Sequence, residues 1–297
     1  MGLEKYENSE YIKFIEQGLQ VAKAIPKYFS RFSNKIFSNH QKLILLVLRQ
    51  KLNSNYRNLI ELLKITNIPK IIGLKRIPHF TTLIRFSRKL SPILVRKLLI
   101  YSCRMSKPKK LKLGVDATGL STDKGSSYYI MRMGKMQKQR RVIQITACAL
   151  LDKQLVSSIR LQRRKTVVNN LFMPVVRESA EIADVKYVAA DKGYDGNFNH
   201  HFVMKYLNAQ SLICIKKTKF KKHWIKKLAE KQFDKKLYHQ RSKIETIFSV
   251  IKRKYGSSVY GKSGLTQKRE GMQKVITYNI DRLTKIIFQI ILGFHQS

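Results

Sequence analysis

LKLGVDATG, residues 111–119, reads as a buried strand that delivers an acid, because Asp116 follows the run LKLGV. VKYVAAD, residues 185–191, repeats the arrangement with Asp191 after KYVAA. Each carboxylate is therefore expected at the C-terminal end of an apolar strand, where open sheets place their sites. An Asp after a strand also commonly starts a turn, so either one alone leaves both readings open. Working outward, SYYIMRMG (127–134) and RRVIQITACALLD (140–152) are expected to be the next two strands, joined by a Gly/Lys-rich loop. QLVSSIRLQ (154–162) is expected to be a fourth strand and SLICIKK (211–217) a further one. Helices are expected over 166–183 and 196–207. Several strands in a row, followed by strand–helix alternation, predict an α/β domain with a mixed sheet.

Ahead of this domain the texture differs. Residues 40–65 carry apolar residues at helical spacing and read as two helices broken near Asn53–Asn55. Residues 79–101 offer a Thr cap before one helix and Ser91-Pro92 before another. Between residues 31 and 110 there are 19 Lys plus Arg and one acid, Glu61. Such a segment is a DNA-binding candidate of helix-turn-helix type, or else a solvated bundle with basic outer faces. SKPKKLK (106–112) is a basic, Pro-containing linker. The expected division is a helical basic region over 1–108 and a second domain over 109–297.

The whole chain of 297 residues carries 60 Lys plus Arg against 18 acids, a formal charge of +42. Such a charge repels itself unless a polyanion is bound, and the usual polyanion is nucleic acid. No apolar run reaches the roughly 18 residues that span a bilayer, so no membrane partner is expected. Cys103, Cys148 and Cys214 are far apart and not at metal spacing, and read as reduced core residues of a cytoplasmic protein.

Against this excess of positive charge, YHQRSKIETIFSVIKRKYG (238–256) keeps one acid, Glu245. On a continuous helix Tyr238, Arg241, Glu245 and Lys252 fall within an arc of about 60°. Leu237, Ile244, Ile247, Phe248 and Ile251 fill the adjoining arc and would pack on the sheet. Glu245 is thus expected at the edge of the buried face, directed along the sheet. The plain alternative is an i, i−4 ion pair with Arg241. Three carboxylates converging on a basic surface suit Mg²⁺, which prefers oxygen ligands and leaves positions for phosphate and water. Two such ions activate a nucleophile and stabilise the leaving oxygen in phosphodiester transfer.

GVDATG, AADKGYD and YHQRSKIETIFSVIK resemble the three acidic motifs of DDE-class insertion-sequence transposases. The third matches Tyr-x2-Arg-x3-Glu-x6-Lys, the signature of one large branch, at Tyr238, Arg241, Glu245 and Lys252 without a gap. The resemblance runs over roughly 109–285. It implies an RNase H-like catalytic domain with Asp116, Asp191 and Glu245 as catalytic residues and ligands of Mg²⁺ or Mn²⁺. It further implies DNA contacts from Tyr238, Arg241, Lys252 and Lys192, terminal inverted repeats and target DNA as partners, and a homodimer in the DNA complex of a prokaryotic cell. Only 53 residues separate Asp191 from Glu245, against the long β-rich insertion of some relatives. Within them 216–236 forms a short lysine-rich insertion of ten lysines and two acids. A nuclease without strand transfer and a non-catalytic DNA-binding protein are the other readings.

Three motifs point elsewhere. GSSVYGKS (256–263) fits the P-loop pattern, but a helix rather than a strand is expected before it, so no nucleotide is expected there. His200 and His201 have only Asp195 at a supporting spacing and read as helix-surface residues. Trp224, in KKHWIKK, is expected either to stack on an extruded base or to anchor a basic loop.

Overall fold

The computed structural model describes residues 9–122, 142–163, 169–216 and 223–294. The chain divides into two compact units. One comprises residues 1–106 with 254–256 and 272–297, and the other comprises 107–253 with 257–271. A single cut at 108/109 does not describe this division, because the C-terminal stretch sorts with the N-terminal helices.

The sheet-bearing unit is built on β1 (Leu111–Ser121), β2 (Val142–Leu150), β3 (Leu155–Gln162), β4 (Val185–Ala190) and β5 (Gln210–Ile213). Their order across the sheet is β3-β2-β1-β4-β5. β1 pairs antiparallel with β2 and parallel with β4, β2 pairs antiparallel with β3, and β4 pairs parallel with β5. This is the mixed-sheet α/β arrangement of an RNase H-like domain. Leu111, Leu113 and Val115 are fully buried on the central strand. Gly114 lets Leu151 approach, since a Cβ there would come 2.5 Å from Leu151 Cδ2. Helix Asn169–Ala180 buries Phe172, Val175 and Val176 in this unit. The expected strand 127–134 and the loop after it lie outside the described residues.

The other unit begins with α1 (Glu10–Ala22), α2 (Asn39–Lys51), α3 (Tyr56–Lys64), α4 (Ile68–Ile72), α5 (Phe80–Lys89) and α6 (Pro92–Met105). In α2 every residue from Leu43 to Leu48 is fully buried, as in a helix surrounded by others. Ser38 and Gln41 close its start as a capping box. Gly18 of α1 allows close packing, because a Cβ would come 2.7 Å from Ile44 Cδ1. The break expected near Asn53–Asn55 is present: Asn53 has φ 48° and Asn55 caps α3 through the amide of Asn58. Ser91 caps α6 through the amide of Leu94. The expected Thr cap before α5 is absent: His79 precedes the helix without a capping bond, and Thr81 instead meets its ring at 2.9 Å.

The helix that follows α6 in the sheet-bearing unit (Asn169–Ala180) is α7. Then come α8 (Asn197–His201), a π-helical turn (Phe202–Tyr206), α9 (Trp224–Lys231), α10 (Lys235–His239), α11 (Ser242–Tyr255) and α12 (Gly264–Phe294). From residue 272 onward α12 belongs with the helical unit, where Val275, Ile276, Ile280 and Leu283 are buried. There Gln273 accepts a hydrogen bond from Arg49 and donates to Ser87, and Asn279 donates to Ser102. A fragment of residues 1–108 lacks all these partners. It is expected to show no cooperative melt by circular dichroism, and a sharp transition would contradict the division.

Candidate active site

The parallel pairing of β1 with β4 ends at Val115↔Ala190. The next residue on each strand is Asp116 and Asp191, so the two carboxylates leave adjacent strands side by side. One expectation needs correcting. Asp116 is not at the end of its strand, because β1 continues against β2 through Asp116↔Ala147 to Ser121↔Val142. It stands where the parallel partner stops, and there the strand's burial falls from full to intermediate. Asp191 does end its strand and precedes a short 3₁₀ turn, Lys192–Tyr194. Its backbone carbonyl accepts the amide of Tyr194 at 2.9 Å, but its side chain makes no capping bond. The carboxylate is therefore not consumed in starting the turn. Lys192 follows it, exposed.

The glutamate helix also departs from expectation. Tyr238 and Glu245 are not on one continuous helix, for α10 ends at His239 and α11 begins at Ser242. The Ser242 hydroxyl donates to the carbonyl of His239 at 2.9 Å. Through the junction the amides of Gln240, Arg241, Lys243 and Ile244 each donate to the carbonyl three residues back. This is 3₁₀ winding, which turns faster per residue than an α-helix, so the projected arc does not hold across residue 241. Within α11 the apolar face is as expected, with Ile244, Ile247, Phe248 and Ile251 buried. Leu237 is only half-buried. Glu245 has a side chain 53% exposed, more open to solvent than expected.

Arg241 joins what the break would separate. Its guanidinium lies 2.7 Å from Glu245 Oε1 and 3.6 Å from Asp116 Oδ2. It also sits 5.9 Å from the centre of the Tyr238 ring, within cation–π range. Asp116 Oδ1 accepts the amide of Ala117 at 2.8 Å. Burial pushes the Asp116 carboxyl above its usual range; the Ala117 amide and Arg241 oppose this, while Glu245 and Asp191 push it further up. Tyr194 carries no signal in the sequence beyond its place in AADKGYD. Its ring packs against Phe172, and its hydroxyl is buried without a hydrogen-bond partner among the described residues. Burial, followed by the negative charges of Asp116 and Asp191, drives that phenol's pKa up.

Asp116, Thr118, Glu245, Ser249, Lys252 and Arg253 line an open groove of about 570 Å³. Lys252 stands two helical turns beyond Glu245, about 10 Å along the axis. The structure thus gathers Asp116, Arg241, Glu245 and Lys252, with Asp191 beside Asp116 and Tyr238 beside Arg241. Among the described residues no group of three or more His, Cys, Asp or Glu is arranged as a metal site.

The remaining motifs resolve differently. In the P-loop-like stretch the amides of Tyr260 and Gly261 donate to Glu270 at 2.8 and 3.1 Å, so a carboxylate takes donors that a phosphate would need. His200 is not a surface residue. It is fully buried, with its ring nitrogens 2.9 Å from Ser211 Oγ and 3.1 Å from Asp195 Oδ1. Burial, more than Lys226, holds its pKa down against the opposing pull of Asp195.

Comparison with curated proteins finds no match. A family described as transposase DDE domain matches residues 107–280. That span opens on the first residue of the sheet-bearing unit and takes in both aspartate-bearing strands and the glutamate helix. Two acids at the end of one parallel pairing, one of them joined to a third through an arginine, are thus set on a sheet and a sequence of one kind, and the chain belongs to the transposase DDE domain family.

Proposed function

We propose that this DDE transposase moves an insertion sequence by binding its terminal inverted repeats, cutting DNA there and joining the cut end to target DNA. The observation that carries this reading is the register: Asp116 and Asp191 stand one residue beyond the last parallel pair, with Arg241 bridging Asp116 to Glu245. In kind the donors suit a divalent ion, while among the described residues they are not drawn together as a formed metal site. Three carboxylates supply hard oxygen ligands, and the neighbouring negative charges that raise Asp116 are what a cation would relieve. Asp116, Asp191 and Glu245 would hold Mg²⁺ or Mn²⁺, which when bound supplies Lewis-acid activation of the phosphodiester.

The chain's own basic residues do the rest. Arg241 serves as the counter-ion between Asp116 and Glu245, and its forked donors suit phosphate oxygens. Lys252, in the same groove, holds a backbone phosphate, and Lys192 holds another beside Asp191. In the helical unit Arg57, Lys64, Arg85, Arg88 and Lys89 are exposed on α3 and α5, basic side chains of the kind that meet the phosphates of duplex DNA. No helix among the described residues is long and apolar enough to cross a membrane. We place the protein in a prokaryotic cytoplasm, acting as a homodimer on paired element ends.

Cleavage of terminal-repeat DNA is expected to require added divalent ion and to stop with chelator, while DNA binding persists without metal. Undiminished cleavage in EDTA would overturn the assignment of the three carboxylates. Cleavage without joining, in a strand-transfer assay with the element's own ends, would reduce the protein to a nuclease. DNA affinity should also fall steeply with salt, at a log–log slope of about −0.9 per neutralised phosphate over at least roughly six phosphates. A slope near zero, measured by fluorescence anisotropy, would assign the charge another purpose.

A further inference from the structure

Tyr194 buries a polar group that nothing described in the fold satisfies. The residue is 2% exposed, and its hydroxyl has no hydrogen-bond partner among the described residues. A buried hydroxyl without a partner costs free energy that a plain ring would not. The ring itself packs against Phe172, with 5.8 Å between centres, so a phenylalanine would make the same apolar contact. Buried orphans of this kind call for a partner that the reaction or an ion brings.

Tyr194 is also locked in place beside Asp191. Its amide donates to the Asp191 carbonyl at 2.9 Å. Its own carbonyl accepts from the amide of Gly196 and from the side chain of Asn199, each at 2.8 Å. Asn199 donates in turn to Asn169, the first residue of α7, at 2.7 Å. The residue is thus pinned to the end of β4 and to the start of α7, and Asp116 leaves the strand next to β4. Burial first, and then the negative charges of Asp116 and Asp191, keep the phenol protonated, with Arg241 opposing. Tyr194 is therefore a standing hydrogen-bond donor within the field of two carboxylates.

We infer that Tyr194 is a positioning residue whose hydroxyl donates to the Asp116 carboxylate once a divalent ion draws the acids together. Carboxylates that ligate a metal are themselves hydrogen-bonded, and these outer partners set the affinity of the site. Asp116 has room for such a bond. One oxygen takes the amide of Ala117 at 2.8 Å and the other faces Arg241 at 3.6 Å, while a carboxylate offers about four acceptor positions. Of the two aspartates, Asp116 acts the more strongly on the phenol. Arg241 meets this carboxylate with a positive charge that a cation would oppose, whereas Tyr194 meets it with a neutral donor that a cation tolerates. This inference rests on the reading of Asp116, Asp191 and Glu245 as the holders of Mg²⁺ or Mn²⁺.

Full-length wild type and Tyr194→Phe are compared in EDTA and then over a series of MnCl₂ concentrations, with bound Mn²⁺ read by electron paramagnetic resonance. The ions counted are those that Asp116→Asn fails to bind. In EDTA, Tyr194→Phe is expected to melt at or above the wild-type temperature, because an unpaired hydroxyl is removed and the ring contact is kept. Its Mn²⁺ affinity should nevertheless fall about 10–100-fold. Half-maximal cleavage should need correspondingly more Mn²⁺, and saturating Mn²⁺ should recover much of the rate. A residue that merely fills space would leave the Mn²⁺ isotherm where it was. Unchanged Mn²⁺ affinity would thus overturn this inference and leave the three carboxylates as metal holders. A clearly lower melting temperature in EDTA, or failure to fold, would show that the hydroxyl already has its partner inside the fold, and would overturn it too. Equal Mn²⁺ binding by wild type and Asp116→Asn, with cleavage undiminished in EDTA, would overturn the metal reading itself and this inference with it.

Discussion

Glu245→Gln is expected to lower DNA cleavage by roughly a hundred- to a thousand-fold or more, while affinity for terminal-repeat DNA stays equal or rises. Glutamine keeps the shape of the side chain and removes the charge that a divalent ion requires. It also removes a carboxylate that faces phosphate, which explains the direction of the binding change. The structural cost should be small. Glu245 is more than half exposed and pairs with Arg241 across one helical turn, and such exposed pairs contribute only about 0.3–0.5 kcal/mol. The buried stripe of Ile244, Ile247 and Ile251 is untouched. Circular dichroism and melting should therefore match the wild type within a degree or two, so that lost cleavage reports chemistry. If folded Glu245→Gln protein nicks the element's ends at the wild-type rate, the glutamate is only the ion-pair partner of Arg241.

The largest effect on stability is expected at Asp281. Its carboxylate accepts from Lys51 at 2.5 Å and from Lys254 at 2.9 Å. The side chains of Asp281 and Lys51 are 7% and 8% exposed. Among the described residues Lys51 has one other carboxylate partner, Glu10, at 3.0 Å, and that side chain is largely exposed. Asp281→Ala would leave the Lys51 ammonium buried with a weakened counter-charge, a loss of about 3–5 kcal/mol. The melting temperature should fall by on the order of 10 °C. Burial pushes the Asp281 carboxyl up, but the hydrogen bonds and charges of Lys51 and Lys254 outweigh it and hold it below the ordinary range. Its contribution is therefore fully present above the unfolded-state value of about 3.9 and is lost as pH falls through the lower folded value. Asp281→Asn should be less stable than wild type at pH 7 and should lose less on acidification below about pH 4. Thermal melts of both variants across this range test it, and a shift of a degree or less would show that Lys51 is neutralised by other means.

The strands that carry Asp116 and Asp191 are legible in the sequence because an apolar run followed by an acid is a local pattern. The apolar face of α11 is legible for the same reason, as Ile244, Ile247, Phe248 and Ile251 repeat at helical spacing. The extension of β1 past Asp116 is not, because it depends on pairing with β2, a partner more than 20 residues away. Nor is the break between Tyr238 and Glu245. The hydrophobic period runs through it unmarked, and it is set by the Ser242 hydroxyl taking a carbonyl that α-helical winding would have used. The burial of His200 escapes for a third reason. Asp195 and His200 are five residues apart, a spacing that faces neither along an α-helix nor across a strand, and only the turn at Gly196 brings them together.

The sorting of residues 272–297 with the N-terminal helices has a consequence for the order of events during synthesis. Lys51 leaves the ribosome early, but its buried counter-ion is residue 281. At about 5–20 residues per second, the helices up to Met105 wait on the order of ten seconds or more for the residues that complete their core. The sheet-bearing unit, from residue 107 to 271, emerges in that interval and can fold first. The helices up to Met105 are then among the later parts to reach their final packing, because their unit is complete only once the residues from 272 onward have emerged.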